Sequence, residues 1–473
     1  MNWSVATPEI VLSCCGMAIL LFGVITKSES FRAASMLVVG SLLLTAVLVV
    51  SGPAGPGYGG LFTADAFSGF VKLLALAAVA FSVIMSLDYN EHENLRRFEF
   101  PVLMLFSTVG MMLLASATNL MTLYMGIELM SLSTYVLAAF ARDELRSSEA
   151  GLKYFVLGAL ASGLMLYGIS LAYGFSGTME FSRLASIFVQ PADASPGLIV
   201  GVVFIVAGLA FKISAVPFHM WTPDVYEGAP TPVTAFMGTA PKVAAAAVLV
   251  RVMVSPFGQL LAQWQQLIVL VSIASMLLGS LAAIGQQNIK RLMAYSSIGH
   301  MGYMLIGLAA GTADGIRGVL IYLVTYVFMN VGTFACILAM RRRGRAAEGI
   351  GDLAGLSRTD PGMALWLTVF MFSMAGIPPF SGFWGKYFIF SAAVNQGMWA
   401  LAVIGVLTSV IGAYYYIRII KVMYFDAAAP AFDVRPASLS LVATAGGLFT
   451  TFFFVFPAPL VSAAEVAAKV LFR

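Results

Sequence analysis

The sequence predicts an all-α polytopic membrane protein of about 14 transmembrane helices, with two inverted five-helix repeats and broken helices 7 and 12. Three observations carry that expectation. The 473 residues are 60% hydrophobic and only 10% charged, with a mean hydropathy of +0.92, where a soluble domain carries about 25% charged residues. Apolar runs of bilayer-spanning length succeed one another between polar or Gly/Pro-rich joints. Six charged residues, Lys72, Glu128, Lys153, Lys212, Lys242 and Lys386, nevertheless lie inside those runs. A charge at the centre of a helical span costs at least about 2.5–3.5 kcal/mol on insertion scales, so a chain that keeps several is using or pairing them.

The runs fall at 8–26, 33–51, 67–87, 101–116, 119–140, 151–174, 197–217, 233–254, 265–286, 293–311, 316–340, 361–394, 398–423 and 437–458. The first has no basic residue before it and no small-residue cleavage site, and reads as a retained helix. The segment SGPAGPGYGG at 51–60 is a loop of turn residues, and no strand precedes it to make it a phosphate cradle. The run 361–394 would extend roughly 50 Å as one helix, too long for a hydrocarbon core of about 30 Å. Pro378 and Pro379, with Gly376, Gly382 and Gly385, predict its break. The seventh run is expected to open near Pro217, just after Lys212. Unwound backbone at membrane depth survives only against protein or a water-filled cavity, which marks transport sites.

These boundaries divide the chain into an N-terminal three-helix segment (1–100), a first five-helix repeat (101–254), a second (255–425), and a C-terminal helix with a short tail (426–473). A repeat of five spans must insert with opposite topology, hence the inversion. The fourth member of each set carries a deep lysine beside a proline break, Lys212 or Lys386, and the second carries Glu128 or His300.

Charge counting orients the chain. With the N-terminus outside, one side collects Lys27, Arg32, Arg96, Arg97, Arg142, Arg146, Lys290, Arg291, Arg341, Arg342, Arg343, Arg345, Arg358, Arg418, Lys421 and Arg435. The other collects Arg183, Arg251, Arg317, Lys469 and Arg473. The positive-inside rule makes the first side cytoplasmic and both termini periplasmic. A net charge of +4 leaves no nucleic-acid surface. Cys14, Cys15 and Cys336 all lie in spans without CxxC or Cys/His spacing, so disulfides, Fe–S centres and zinc are not expected.

No nucleophile–base arrangement or dinucleotide fingerprint occurs, so the chemistry expected is proton movement. Desolvation disfavours the charged form of a carboxyl or an amine, and a nearby opposite charge restores it. A Glu128–Lys212 pair would therefore hold the lysine charged, and separating the pair would push its proton off. Lys242, among alanines and valines, and Lys386, beside an unwound turn, are candidate relay sites. Lys153 sits nearer a span end, and Lys72 is expected to snorkel or to pair with Asp65. His300 and His219 are candidate relays, whereas Asp224 and Glu227 are expected to be caps or loop contacts.

The block FKISAVPFHMWTPDVYEGAPTPVTAFMGTAPKVAA resembles the hallmark of the antiporter-like membrane subunits shared by respiratory complex I, the NADH:quinone oxidoreductase, and Mrp-type cation/proton antiporters. MGIELMSLSTYVLAAF, LKYFVLGALASGLMLYG, NIKRLMAYSSIGHMGYMLIG and AGIPPFSGFWGKYFIF match as well, in order, across residues 60–425. Within the family, lysine at 386 and only a short tail after Ala458 mark out one branch. The resemblance implies a Glu128–Lys212 pair on helices five and seven, Lys242 as the central relay, Lys386 as the exit-side site and Lys153 as a further lysine on helix six. It implies proton translocation in a bacterial inner membrane, beside neighbouring antiporter-like and small membrane subunits and lipids. FMN, Fe–S clusters and quinone would belong to partner subunits, with no cofactor or metal on this chain. The alternative within the family is an Mrp-type antiporter subunit. A twelve-helix facilitator, built from two parallel six-helix halves, fits neither the span count nor the odd repeat.

Overall fold

The computed structural model describes residues 3–26, 30–187 and 195–472. Lys27 and Arg473 of the charge count therefore lie outside the described residues. The N-terminal segment is α1 (Thr7–Thr26), α2 (Phe31–Ser51) and α3 (Ala66–His92). The turn residues before α3 form a small antiparallel hairpin, β1 (Gly55–Gly57) with β2 (Phe62–Ala64), reversed through Gly59 and Gly60 at φ +69° and +91°. Asp65 starts α3 as its N-cap, accepting from the Ser68 amide at 2.7 Å in a reciprocal capping box.

The next stretch is α4 (Glu99–Ser116), α5 (Leu120–Ala138), α6 (Leu145–Ser176), the short α7 (Phe181–Ile187) and α8 (Pro196–Lys212). It continues with α9 (Trp221–Gly228), α10 (Thr231–Met237) and α11 (Ala240–Val254). The expected opening near Pro217 is present between α8 and α9. The Phe211 carbonyl there accepts from the Ser214 amide at 3.0 Å and from the Trp221 indole at 3.1 Å, so this unwound backbone is satisfied inside the protein. A further interruption was not anticipated. The eighth span divides at Gly238–Thr239, and Pro241 stands second in α11, placing Lys242 in that helix's first turn.

The second stretch comprises α12 (Leu261–Ile284), α13 (Ile289–Ala309), α14 (Ala313–Leu338), a two-residue ribbon of β3 (Arg341–Arg342) and β4 (Arg345–Ala346), α15 (Leu356–Thr359), α16 (Pro361–Ala375), α17 (Ser381–Asn395) and α18 (Trp399–Phe425). The twelfth span breaks between α16 and α17, where Gly376 takes the left-handed conformation at φ +87°. After α19 (Ala437–Phe452), the expected short tail is instead helical. α20 (Ala458–Val470) buries Ala464, Ala467 and Ala468 against α3 and α14, an alanine stripe too weak to register as a span.

Among the described residues ten helices are long and apolar enough to cross a membrane, and Pro196–Lys212, Pro361–Ala375 and Ala437–Phe452 are apolar but shorter. The first two are half-helices of broken spans; α13, at 21 residues, is long enough to cross but too polar to count among the ten. Arg97, Arg142, Arg146, Lys290 and Arg345 line one polar cavity of about 420 Å³, so residues assigned to one side by charge counting do share a face. Arg251 is a correction to that count. It is buried on α11 and donates to both oxygens of Asp65 at 2.8 and 2.9 Å.

Small residues set the closest helix approaches, as expected where lipid offers no hydrophobic drive. A Cβ at Gly279 of α12 would lie 2.5 Å from the Gly299 amide nitrogen of α13. One at Gly110 of α4 would lie 2.5 Å from the Met130 amide nitrogen of α5. Because the obstacle is backbone, Gly279→Ala must push α12 and α13 apart. We expect it to lower the melting temperature of the purified protein, at a cost of about 1–3 kcal/mol; an unchanged melting curve would show that the two helices can separate freely.

Candidate functional site

Of the charged residues singled out in the sequence, Lys212, Lys242 and Lys386 are buried and each has a hydroxyl among its partners. Lys212 ends α8, and its Nζ donates to Ser131 Oγ at 2.7 Å and to Tyr135 OH at 3.0 Å, both on α5. Its ammonium also lies 5.3 Å from the Tyr135 ring centroid. Glu128 lies on the same face of α5, one turn before Ser131. The anticipated Glu128–Lys212 contact is not made. Glu128 Oε1 instead accepts from Ser162 Oγ of α6, and the two charges are satisfied separately. Sequence position brought the pair to one neighbourhood, but side-chain rotamers decide whether they touch.

Lys242 donates to Ser297 Oγ of α13 and lies 5.2 Å from the Tyr226 ring centroid. Ser297 Oγ is 3.2 Å from Tyr326 OH on α14, which also reaches the Gly238 carbonyl at 2.9 Å. The break in the eighth span thus supplies a carbonyl to the network. One turn further along α13, His300 Nδ1 is hydrogen-bonded to Tyr322 OH at 2.6 Å, and Nε2 to Tyr416 OH at 3.1 Å. Which nitrogen carries the proton depends on which phenol donates. Tyr416 is in turn 2.5 Å from Ser296 Oγ.

Lys386 reaches back across the twelfth-span break. Its Nζ donates to the Met374 and Ala375 carbonyls at 3.0 and 3.1 Å and to Ser409 Oγ of α18 at 2.7 Å. Those carbonyls end α16, where the helix dipole favours a cation. A Cβ at Gly376 would stand 3.0 Å from Lys386 Cδ and 3.2 Å from Nζ, so the bare glycine leaves the passage open. The Tyr303 ring centroid is 4.8 Å from this ammonium. Lys212, Lys242 and Lys386 are all buried, and among the described residues none of them forms an ion pair with a carboxylate.

Other expectations resolve differently. Lys153 is 42% exposed and bridges Glu149 and Asp224, each at 2.8 Å. Asp224 also holds Arg291 at 2.8 Å, and Arg291 reaches Glu227 at 2.9 Å. Asp224 and Glu227 are therefore ion-pair partners joining α6, α9 and α13 rather than caps. Lys290 donates to the Glu227 and Ala229 carbonyls at 2.8 and 2.9 Å, closing the C-terminal end of α9. His219, in the seventh-span opening, has no hydrogen bond at Nδ1. Lys72 neither snorkels nor pairs with Asp65. It forms a buried ion pair with Glu9 of α1 at 2.6 Å, the side chains being 3% and 4% exposed. Sequence reasoning passed over Glu9 because it stands beside the chain's first polar turn. It also passed over Ser131, Tyr135, Ser162, Ser297, Tyr322 and Tyr416. The available signal was helical spacing, as in 128/131/135 and 296/297/300.

A helical membrane fold with lysines buried beside helix breaks, each held by hydroxyls or carbonyls, defines the class of antiporter-like membrane subunits. The family model for the NADH:quinone oxidoreductase/Mrp antiporter membrane subunit matches residues 117–412. The NADH-quinone oxidoreductase subunit N of Granulibacter bethesdensis is 66% identical over 478 residues, with 100% of both chains covered. That of Gluconacetobacter diazotrophicus is 59% identical, again with 100% of both covered. Among solved structures, respiratory complex I from Thermus thermophilus matches with a TM-score of 0.83 and 33% identity over 97% of this chain and 100% of that one. The Mrp complex from Dietzia sp. shares the fold, with a TM-score of 0.88 at 22% identity over 100% of this chain and 98% of that one. The chain belongs to the antiporter-like membrane subunit family of NADH:quinone oxidoreductase, on its subunit N branch.

Proposed function

We propose that this chain translocates protons from cytoplasm to periplasm as a membrane subunit of NADH:quinone oxidoreductase, driven by quinone reduction elsewhere in the complex. The observation that carries the proposal is the set of three buried lysines held by hydroxyls, carbonyls and aromatic rings without any carboxylate ion pair. A hydroxyl can accept from an ammonium and donate to a neutral amine, so each contact serves either protonation state. The network Lys242–Ser297–Tyr326 and the neighbouring Tyr322–His300–Tyr416 group lie between α11 and the Lys386 site. The buried hydroxyls of Ser214, in the seventh-span opening, and Thr222, in the first turn of α9, have no protein partner and suit water.

In this reading Glu128 and Lys212 sense changes arriving from neighbouring subunits, Lys242 relays centrally and Lys386 faces the exit. Lys153 acts with Asp224 and Arg291 at the rim. Segments 101–254 and 255–425 act as inverted repeats; the glycine approach of α4 on α5 corresponds to that of α12 on α13, and a lysine-bearing broken helix stands fourth in each. Both termini face the periplasm of a bacterial inner membrane. Flavin, Fe–S clusters and quinone reside on partner subunits, which include adjoining antiporter-like and small membrane subunits. The Mrp reading shares the family model and the fold, while the full-length relatives at 66% and 59% identity support the oxidoreductase reading.

The test uses the intact complex in vesicles. Lys212→Ala and Glu128→Ala should assemble, and each should lose most of the proton gradient formed per NADH oxidised. Assembled variants that pump at the native ratio would overturn the proposal.

A further inference from the structure

Lys212 and Glu128 are each provided with a neutral partner that keeps them apart. Glu128, Ser131 and Tyr135 share one face of α5 at spacings of three and four residues. Lys212 does not take the carboxylate. It takes the two hydroxyls further along, at 2.7 and 3.0 Å, while Ser162 of α6 donates to Glu128. An ammonium passing over a carboxylate for two hydroxyls needs those hydroxyls to be rigidly placed.

The structure shows how one of them is placed. Tyr135 rests directly on the backbone of α6 at Gly158, where a Cβ would lie 2.0 Å from the phenol oxygen and 2.6 Å from Cζ. Its ring also meets Tyr154 edge-on, at 4.7 Å between centroids. Gly158 and Tyr154 together leave the phenol one seat, with its oxygen toward Lys212. Tyr154 stacks in turn on Trp221, at 4.4 Å, the first residue of α9. The seat is therefore connected to the far side of the seventh-span opening, and a movement of α9 would be felt at Tyr135.

We infer that Ser131 and Tyr135 are positioning residues that form a neutral dock for Lys212, that Ser162 forms the matching dock for Glu128, and that together they hold this pair open. The inference deepens the reading of Glu128 and Lys212 as a coupled proton site and rests on it. With both charges docked separately, closing the pair exchanges three hydroxyl contacts for one ion pair. The pair then has two discrete arrangements that a neighbouring subunit can bias. Without the dock, the ion pair would be the only satisfied arrangement for Lys212 in this apolar surround.

The experiment compares Ser131→Ala/Tyr135→Phe with Gly158→Ala in the intact complex, by cryo-electron microscopy and by the protons pumped per electron. Tyr135→Phe keeps the ring packing and removes only the oxygen. Lys212 Nζ should move to ion-pair distance from Glu128 in the double variant, with pumping reduced several-fold and NADH oxidation retained. Gly158→Ala, which never touches Lys212, should reduce pumping in the same direction by unseating the phenol. Ser131→Thr, which keeps the hydroxyl, should pump normally. If the double variant leaves Lys212 in place and pumping unchanged while Lys212→Ala is inactive, the dock is overturned and the proton-site reading stands. If Lys212→Ala itself pumps normally, that reading fails and the dock loses its purpose with it.

Discussion

Replacing Lys242 by methionine should abolish most proton translocation while leaving the fold intact. Lys242 is buried in the first turn of α11, and its polar contact is with Ser297. Methionine is close to lysine in length and flexibility and needs no partner in an apolar site. Among the described residues no carboxylate pairs with Lys242, so its removal leaves no stranded charge. The usual penalty for breaking a buried ion pair does not arise. Ser297 keeps its neighbour Tyr326 at 3.2 Å. What disappears is the amine that faces Ser297, one turn before His300 on α13. Removing a positioned acid–base group typically costs about 10²–10⁴-fold in the step it serves. The expected result is a normally assembled complex by native gel, with gradient formation in proteoliposomes reduced to the leak level. Near-native pumping by an assembled Lys242→Met complex would remove Lys242 from the pathway.

The second large effect is on stability. Glu9 and Lys72 pair at 2.6 Å with side chains 4% and 3% exposed, linking α1 to α3. The Lys72 ammonium also lies 4.9 Å from the Phe62 ring centroid. Removing one partner leaves the other buried and uncompensated, which costs about 3–5 kcal/mol, whereas replacing both by apolar residues of similar volume is often neutral or stabilising. Lys72→Met alone should therefore lower the melting temperature of the complex or release the N-terminal helices during purification. Glu9→Leu/Lys72→Met should recover most of that loss. A double variant as unstable as the single one would mean that the pair is more than a local electrostatic tie. The neighbouring Asp65–Arg251 bridge, between α3's N-cap and α11, keeps its own contacts in either variant.

Much of the architecture was legible in the sequence because lipid imposes simple rules. A backbone crossing hydrocarbon must satisfy its own hydrogen bonds, so long apolar runs become helices and their ends follow the polar joints. The break beside Gly376 and the opening after Lys212 were legible for the same reason, since proline and glycine clusters at membrane depth have no helical solution. The interruption at Gly238–Thr239 was not. Its glycine precedes Pro241, and a proline at the first turn of a span is also how an uninterrupted helix begins. α20 was missed because thirteen residues with an alanine stripe carry too little apolar signal to stand apart from a tail.

The candidate site divides along similar lines. Lys212, Lys242, Lys386 and Glu128 stand out because a charge in an apolar run has no bland explanation. Ser131, Tyr135, Ser297 and Tyr322 do not stand out, since serine and tyrosine are unremarkable in a membrane helix. Only their convergence on a lysine or on His300 distinguishes them from the chain's other hydroxyls.

By itself, then, the sequence determined the class of fold, the places where helices must open and the charges that must be accounted for. Each of these follows from the cost of putting a polar group into hydrocarbon, a cost that can be read one segment at a time. Tertiary structure alone decided which partner each charge takes: Glu9 for Lys72, Asp65 for Arg251 at a separation of 186 residues, and hydroxyls rather than Glu128 for Lys212. Partner choice turns on differences of a few ångströms between packed helices. Those distances are set by where glycines let backbones approach and by how aromatic side chains seat against them, which no single segment encodes.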